Sequence, residues 1–152
     1  FMGAMFGPPG TTAESVRPIA DQIRDRMIAS DAATRRQTIT ATIATMLKTE
    51  DRRAEAIEQS FDSDAGMSAR SMHELITTDL RPELANIKVP VTVLYVRSPA
   101  APITDAQMDA YYKLSYANVP QAKLVRIPDA YHFIMWDAPQ RFAEEVRTFL
   151  GR

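Results

Sequence analysis

The chain has 152 residues, of which 45% are hydrophobic and 24% charged, and its formal net charge is -1. Such a length fits one domain, or a small domain with an appendage, and the composition is that of an ordinary globular protein. A near-neutral balance argues against a surface built to neutralise phosphate, so nucleic acid is not an expected partner. There is no cysteine, which excludes disulfides, thiolate zinc sites and a cysteine nucleophile. No apolar run approaches the ~18 residues that suggest a membrane span. The short apolar start has no basic flank, so it does not read as a signal peptide, and a cytoplasmic location is expected. The first residue is Phe1 rather than Met, so the chain is expected to be cut, processed or taken from a longer one.

Residues 1–12 carry three glycines and the pair Pro8-Pro9, and read as a linker or loop. Val16, Ile19, Ile23 and Met27 then recur at helical spacing. Pro18 is tolerated only near a helix start, which puts the cap at Thr12 or Ser15. Asp31 caps a second predicted helix, with Ile39, Ile43, Met46 and Leu47 on one face. Glu50 and Asp51 follow Thr49 and suit a helix N-terminus, so a third helix is predicted to bury Ala54, Ile57 and Phe61. A fourth runs from about Ser63 to Leu80 and turns Met72, Leu75, Ile76 and Leu80 inward, before Pro82 breaks it. Residues 13–87 are thus expected to be a helical region.

The pattern changes at residue 88. Val89 to Val96 is a continuous β-branched and apolar run, suited to a strand of a parallel sheet covered on both faces. A loop from Ser98 to Ile103 follows, and Thr104 with Gln107 has capping-box spacing that predicts a helix to about Asn118. Lys123 to Ile127 reads as a second strand and residues 128–136 as a loop. Asp137, with Pro139 just inside, predicts the start of a last helix through Phe142, Val146 and Leu150. Residues 88–152 therefore read β-α-β-α, the signature of a parallel α/β sheet. Two parallel strands alone cannot bury both faces or satisfy both edges. Their neighbours are expected from a missing N-terminal part or a second chain.

His132 is the main candidate for chemistry. It lies just beyond the predicted second strand, at the edge where open α/β sheets gather their catalytic groups. A histidine there suits a general base, since its unperturbed pKa is near neutrality. The alternative is a loop histidine that bonds backbone groups. Tyr131, Phe133, Met135 and Trp136 surround it with apolar and aromatic surface, suited to a substrate pocket or to core packing. His73 reads as a surface helix residue. Asp62 and Asp64 do not complete a calcium loop, and Arg35-Arg36 and residues 50–53 read as solvated helix faces.

The segment from Ile127 to Phe142 resembles the end of an α/β-hydrolase. There the last strand is followed by a small-residue turn, the catalytic histidine, an apolar stretch, an acid near a proline, and a final helix; Ile127-Pro128, His132 and Asp137-Ala138-Pro139 match in order. Ile87 to Val96 resembles that family's penultimate strand, and the helices before it are similar to a cap insertion. The resemblance implies an α/β fold class, a partial hydrolase fold in which a helical cap precedes the last β-α-β-α of the sheet. It also implies a serine-type hydrolase acting on a small ester, amide or acyl substrate, with no metal or organic cofactor. His132 would be the base, and Tyr131, Phe133 and Trp136 would line the substrate pocket. The family's triad acid is expected in the loop after the penultimate strand. Counting from the strand end gives Ala101, which cannot serve, whereas Asp105 lies 27 residues upstream of His132 (132 − 105). The in-chain candidate is Asp105, and its rival is an acid on an earlier strand outside the chain.

Two departures bear on activity. Tyr131 stands where the family usually has glycine. The G-x-S-x-G elbow of the nucleophile is absent, since none of Gly3, Gly7, Gly10, Gly66 and Gly151 brackets a serine, and Ser98 lacks the glycines its strained turn would need. The nucleophile is therefore expected outside this chain, which alone should not turn over an ester. The alternative functions are a non-catalytic binding or assembly module that keeps the hydrolase shape, and a helical interaction domain in which His132 is incidental.

Overall fold

The computed structural model describes residues 2–7, 10–98 and 101–151. Pro8 and Pro9 of the expected linker, and Pro99 and Ala100 of the loop after the first strand, lie outside them.

Four helices come first: α1 (Arg17–Ala29), α2 (Ala32–Met46), α3 (Arg53–Asp62) and α4 (Ala65–Thr77). The starts of α2 and α4 follow from short polar side chains that bind otherwise unpaired backbone N–H groups. Asp31 accepts from Thr34 N at 2.7 Å and Asp64 from Met67 N at 2.6 Å. Before α1, Thr12 and Ser15 accept from each other's backbone N–H at 3.1 and 3.0 Å, closing the turn that leads into the helix.

The helices pack in two pairs. α1 and α4 enclose Val16, Ala20 and Ile76, with Ile23 and Met72 against them. Met2 and Phe6 join this cluster from a 3-10 turn, Met2–Phe6, so part of the expected linker is packed structure. α2 and α3 enclose Ile43, Leu47 and Ala56, with Ile39 and Ile57 beside them.

Some expected helix faces are rotated. Ala56, not Ala54, is the buried residue of α3, because the helix turns the side of Ala56 and Ile57 toward Ile43 and Leu47 of the α2 seam. α4 ends at Thr77, and Leu75 and Leu80 are exposed while Ile76 points inward. His73 is not a free surface residue. Its Nε2 lies 3.0 Å from Asp21 Oδ1, which joins α4 to α1. Arg35 and Arg36 each place a guanidinium 4.4 Å from the Phe61 ring centroid; Arg36 remains solvent-exposed, as expected of that face, while Arg35 is partly buried.

The second half contains β1 (Val91–Tyr95), α5 (Asp105–Ser115), β2 (Ala122–Arg126), the single turn α6 (Ile134–Asp137) and α7 (Pro139–Phe149). The strands are parallel, in register from Val91 opposite Ala122 to Tyr95 opposite Arg126. α5 forms the crossover, and its start carries the expected reciprocal box between Thr104 and Gln107. Beyond β2, Ile127, Ala130 and Ile134 are buried against Leu94, Val125 and Phe142. Pro139 opens α7 as expected, but Asp137 does not cap it. Ala138 takes that place, because Asp137 is turned to other partners described below.

α7 is also held by charge. Glu145 is buried, and its oxygens accept from Lys123 Nζ of β2 at 3.0 Å and from Arg141 Nη2 at 2.6 Å. Burial of a carboxylate is tolerated when both oxygens are paired in this way. The strands themselves are only partly covered from Val91 to Leu94. Among the described residues each strand has one neighbour, the other. No helix among the described residues is long and apolar enough to cross a membrane.

Candidate active site

His132 stands on the loop that leaves β2. Pairing with the first strand continues one residue past β2, where Ile127 N donates to Tyr95 O at 2.8 Å. The chain then turns through Pro128 and Asp129, whose φ of 61° is left-handed. Asp is among the few side chains that accept this conformation at modest cost. Ala130 is buried immediately after, and His132 emerges exposed. The imidazole meets the edge of Phe133, with ring centroids 5.4 Å apart, and has no hydrogen bond among the described residues.

The backbone around that free ring is tightly held, and the holder is Asp137. One of its oxygens accepts from Tyr131 N at 2.8 Å and Lys48 N at 3.1 Å; the other accepts from Thr49 N and Thr49 Oγ1, each at 2.8 Å. Burial acts to raise the Asp137 pKa, but the bonds from Tyr131, Lys48 and Thr49 outweigh it and hold the group below the usual carboxylate range. Two more bonds run between the same segments. Phe133 N donates to Met46 O at 3.2 Å, and Lys48 Nζ donates to Asp129 O at 3.0 Å. The loop bearing His132 is therefore stitched to the connection between α2 and α3.

Phe133 and Trp136 complete that seam. They stack with centroids 5.3 Å apart and pack against the buried cluster of Ile43, Leu47 and Ala56. The contacts they make here are packing contacts, and each remains partly exposed. Tyr131, also partly exposed, contributes its backbone N–H to the Asp137 clamp.

Asp105 lies at the start of α5, beyond the end of β1, so it and His132 both follow the C-terminal ends of the two strands. Its side chain is engaged elsewhere. One oxygen accepts from Arg97 Nε and the other from Arg126 Nη1 at 2.7 Å. The hydrogen bond from Arg97, with the charges of Arg126 and Arg97 behind it, holds Asp105 below the usual carboxylate range. Arg126 Nε also donates to Asp109 Oδ1 at 2.8 Å, and Asp109 accepts from Tyr95 Oη at 2.8 Å. Burial, followed by the hydrogen bond to Asp109, pushes the Tyr95 phenol up to about 12. The structure thus places His132 and Asp105 beyond the same strand ends but gives the carboxylate to two arginines.

The clamp escapes a local reading of the sequence because Asp137 sits where a helix cap is expected and its partners lie 88 and 89 residues upstream. Arg97 and Arg126 carry no motif. Their only signal is a positive charge near the end of each strand, beside a helix whose first turn is acidic. Among the described residues no group of three or more His, Asp or Glu side chains could hold a metal ion.

No protein-family model matches the chain, and no curated protein matches it in sequence. Its fold is similar to that of two solved structures. One is a hydrolase from Pseudomonas aeruginosa, with a TM-score of 0.70 at 22% identity over 90% of this chain and 51% of that one. The other is a probable hydrolytic enzyme from the same organism, with a TM-score of 0.55 at 20% identity over 99% of this chain and 52% of that one. The chain thus spans about half the length of the solved structures it matches. At these identities the likeness is one of fold: a helix-rich α/β arrangement with a small parallel sheet, of a kind seen in hydrolases.

Proposed function

We propose that this chain supplies the histidine end of a serine-type α/β-hydrolase acting on a small ester, amide or acyl substrate. The observation that carries the reading is an exposed imidazole with both nitrogens unengaged, just past the end of a parallel strand, on a loop whose backbone is pinned on either side of it. A general base needs such an arrangement, with a fixed position and a free lone pair. His132 takes the proton of a serine hydroxyl as that oxygen attacks the acyl carbon, and returns it to the leaving group. The serine lies outside this chain, in an N-terminal part or a second chain that also covers the strand edges. Tyr131, Phe133 and Trp136 offer the partly exposed aromatic wall of the substrate site, and residues 13–87 act as its cap. The protein works in the cytoplasm, without metal or organic cofactor.

The orienting acid is Asp105 once it has exchanged one arginine for the imidazole, or a carboxylate on an earlier strand. The engagement of Asp105 by Arg97 and Arg126 favours the second source, and it also lends weight to a second reading, a non-catalytic module that keeps the hydrolase shape.

The test joins the chain to its nucleophile-bearing part and treats the product with a fluorophosphonate. His132→Ala should lower the labelling rate at least ~100-fold, the usual contribution of a general base. Asp105→Asn lowers it comparably if Asp105 is the orienting acid, and leaves it unchanged if the acid lies elsewhere. Equal labelling of the parent and His132→Ala would refute the catalytic reading and leave the binding module.

A further inference from the structure

Away from His132, between the four helices, lies a cavity of about 190 Å3. Its wall is mainly apolar, with Met27, Ile39 and Ala65 contributing from α1, α2 and α4. For scale, a dry apolar cavity of ~150 Å3 takes up benzene.

The polar groups on the wall are of two kinds. Three hydroxyls are already used, since Ser30, Thr38 and Ser63 donate to the carbonyls of Arg26, Thr34 and Gln59. Ser60 of α3 and Ser68 of α4 are half-buried, and their side chains have no partner among the described residues. The cavity also borders one guanidinium, that of Arg35. Its neighbour Arg36 is neutralised by both oxygens of Glu58, at 2.7 and 3.0 Å. Arg35 has no carboxylate partner among the described residues. It rests on the Phe61 ring and reaches the Ser63 carbonyl only at 3.5 Å. Asp64 Oδ1 accepts from Met67 N at the start of α4.

A benzene-sized apolar space with one cation that has no carboxylate partner among the described residues, and two unused hydroxyls at its wall, has the chemistry of a carboxylate site. We propose that the helical region binds a small monocarboxylate with an aromatic or branched apolar body. The body fills the cavity, the carboxylate pairs with Arg35, and Ser60 and Ser68 supply the remaining hydrogen bonds. Ile39 lines this cavity and also packs against the cluster that holds Phe133 and Trp136, so an occupant would touch the support of the His132 loop. The site itself stands whether or not His132 is catalytic.

The probe is benzoate, titrated into the chain while backbone amide NMR shifts are followed, with benzamide as its uncharged counterpart. A ligand of this size binds in roughly the millimolar range. Saturable shifts are expected at Ile39, Ser60 and Ser68, with benzamide at least about tenfold weaker. Arg35→Gln should weaken benzoate by a similar factor and erase the difference between the two probes. Ser68→Leu, which fills the cavity, should abolish binding of both, and His132→Ala should change neither. Equal binding of benzoate and benzamide to the unsubstituted chain would overturn the proposal, as would the absence of saturable shifts at these residues. Comparing the two probes needs no substitution, so it decides the matter even if Arg35→Gln fails to fold.

Discussion

The helical region and the sheet end satisfy their apolar surface differently. Each of the four helices finds its main partner within the region, and the two seams hold fully covered side chains such as Leu47 and Ile76. Among the described residues each strand has one strand neighbour, the other, and Val91 to Leu94 stay half-covered. α7 leaves Val146, Phe149 and Leu150 38, 51 and 57% exposed. The apolar cluster of Ile127, Ala130 and Ile134 is supplemented there by polar ties: Glu145 between β2 and α7, and the chain of bonds from Tyr95 through Asp109 and Arg126 to Asp105. The lesson is that helix pairs can complete a core locally, whereas a parallel sheet needs strands on either side before its faces close.

Substitutions can break or sharpen that contrast. The largest stability effect is expected at the helical seam. Leu47→Ala removes a fully buried side chain beside Phe133 and Trp136, and should cost about 3 kcal/mol in a urea melt. A loss under 1 kcal/mol would mean that the seam is loosely packed. Asp137→Ala tests the polar tie between the two regions. It should cost roughly 1–3 kcal/mol and speed hydrogen exchange at the Tyr131 and Thr49 amides, while the amides within α1 keep their protection.

The same tie has a pH signature. Asp137 is held below its ordinary pKa, so its contribution is complete above the usual carboxylate range and is lost as pH falls through the lower folded value. The stability gap between the parent and Asp137→Asn should therefore narrow below about pH 4. A gap that stays constant down to pH 2 would show that the charge is not what the loop depends on. The smallest effect is expected on α7. Phe149→Ser should change stability by less than about 0.5 kcal/mol, yet reduce any self-association seen by light scattering, because the residue is half exposed. A large loss of stability there would erase the contrast between the regions.

Features governed by a few adjacent residues are the ones the sequence makes legible. Asp31 caps α2, and Thr104 with Gln107 boxes the start of α5, because such bonds span three residues. The order of four helices followed by β-α-β-α is equally plain in the periodicity. Helix faces are less secure. In α3 the contact with α2 covers Ala56 and leaves Ala54 exposed, and the early end of α4 leaves Leu80 exposed, because tertiary packing chooses the covered face and spacing alone does not. In the site, the position of His132 follows from strand order, but its support does not. Asp137 looks like a cap until the segment of Lys48 and Thr49 is brought to it, and Asp105 looks unattached until Arg97 and Arg126 converge on it.

The Asp137 clamp has a consequence for the order of folding. Its bonds to Lys48 and Thr49 close loops of almost ninety residues, and contacts of such separation form only after the intervening chain has been brought into place. Helix pairs and the strand crossover can assemble from nearer neighbours. The loop bearing His132 is then expected to set late, once the helix pair of Lys48 and Thr49 and the strand crossover have each formed.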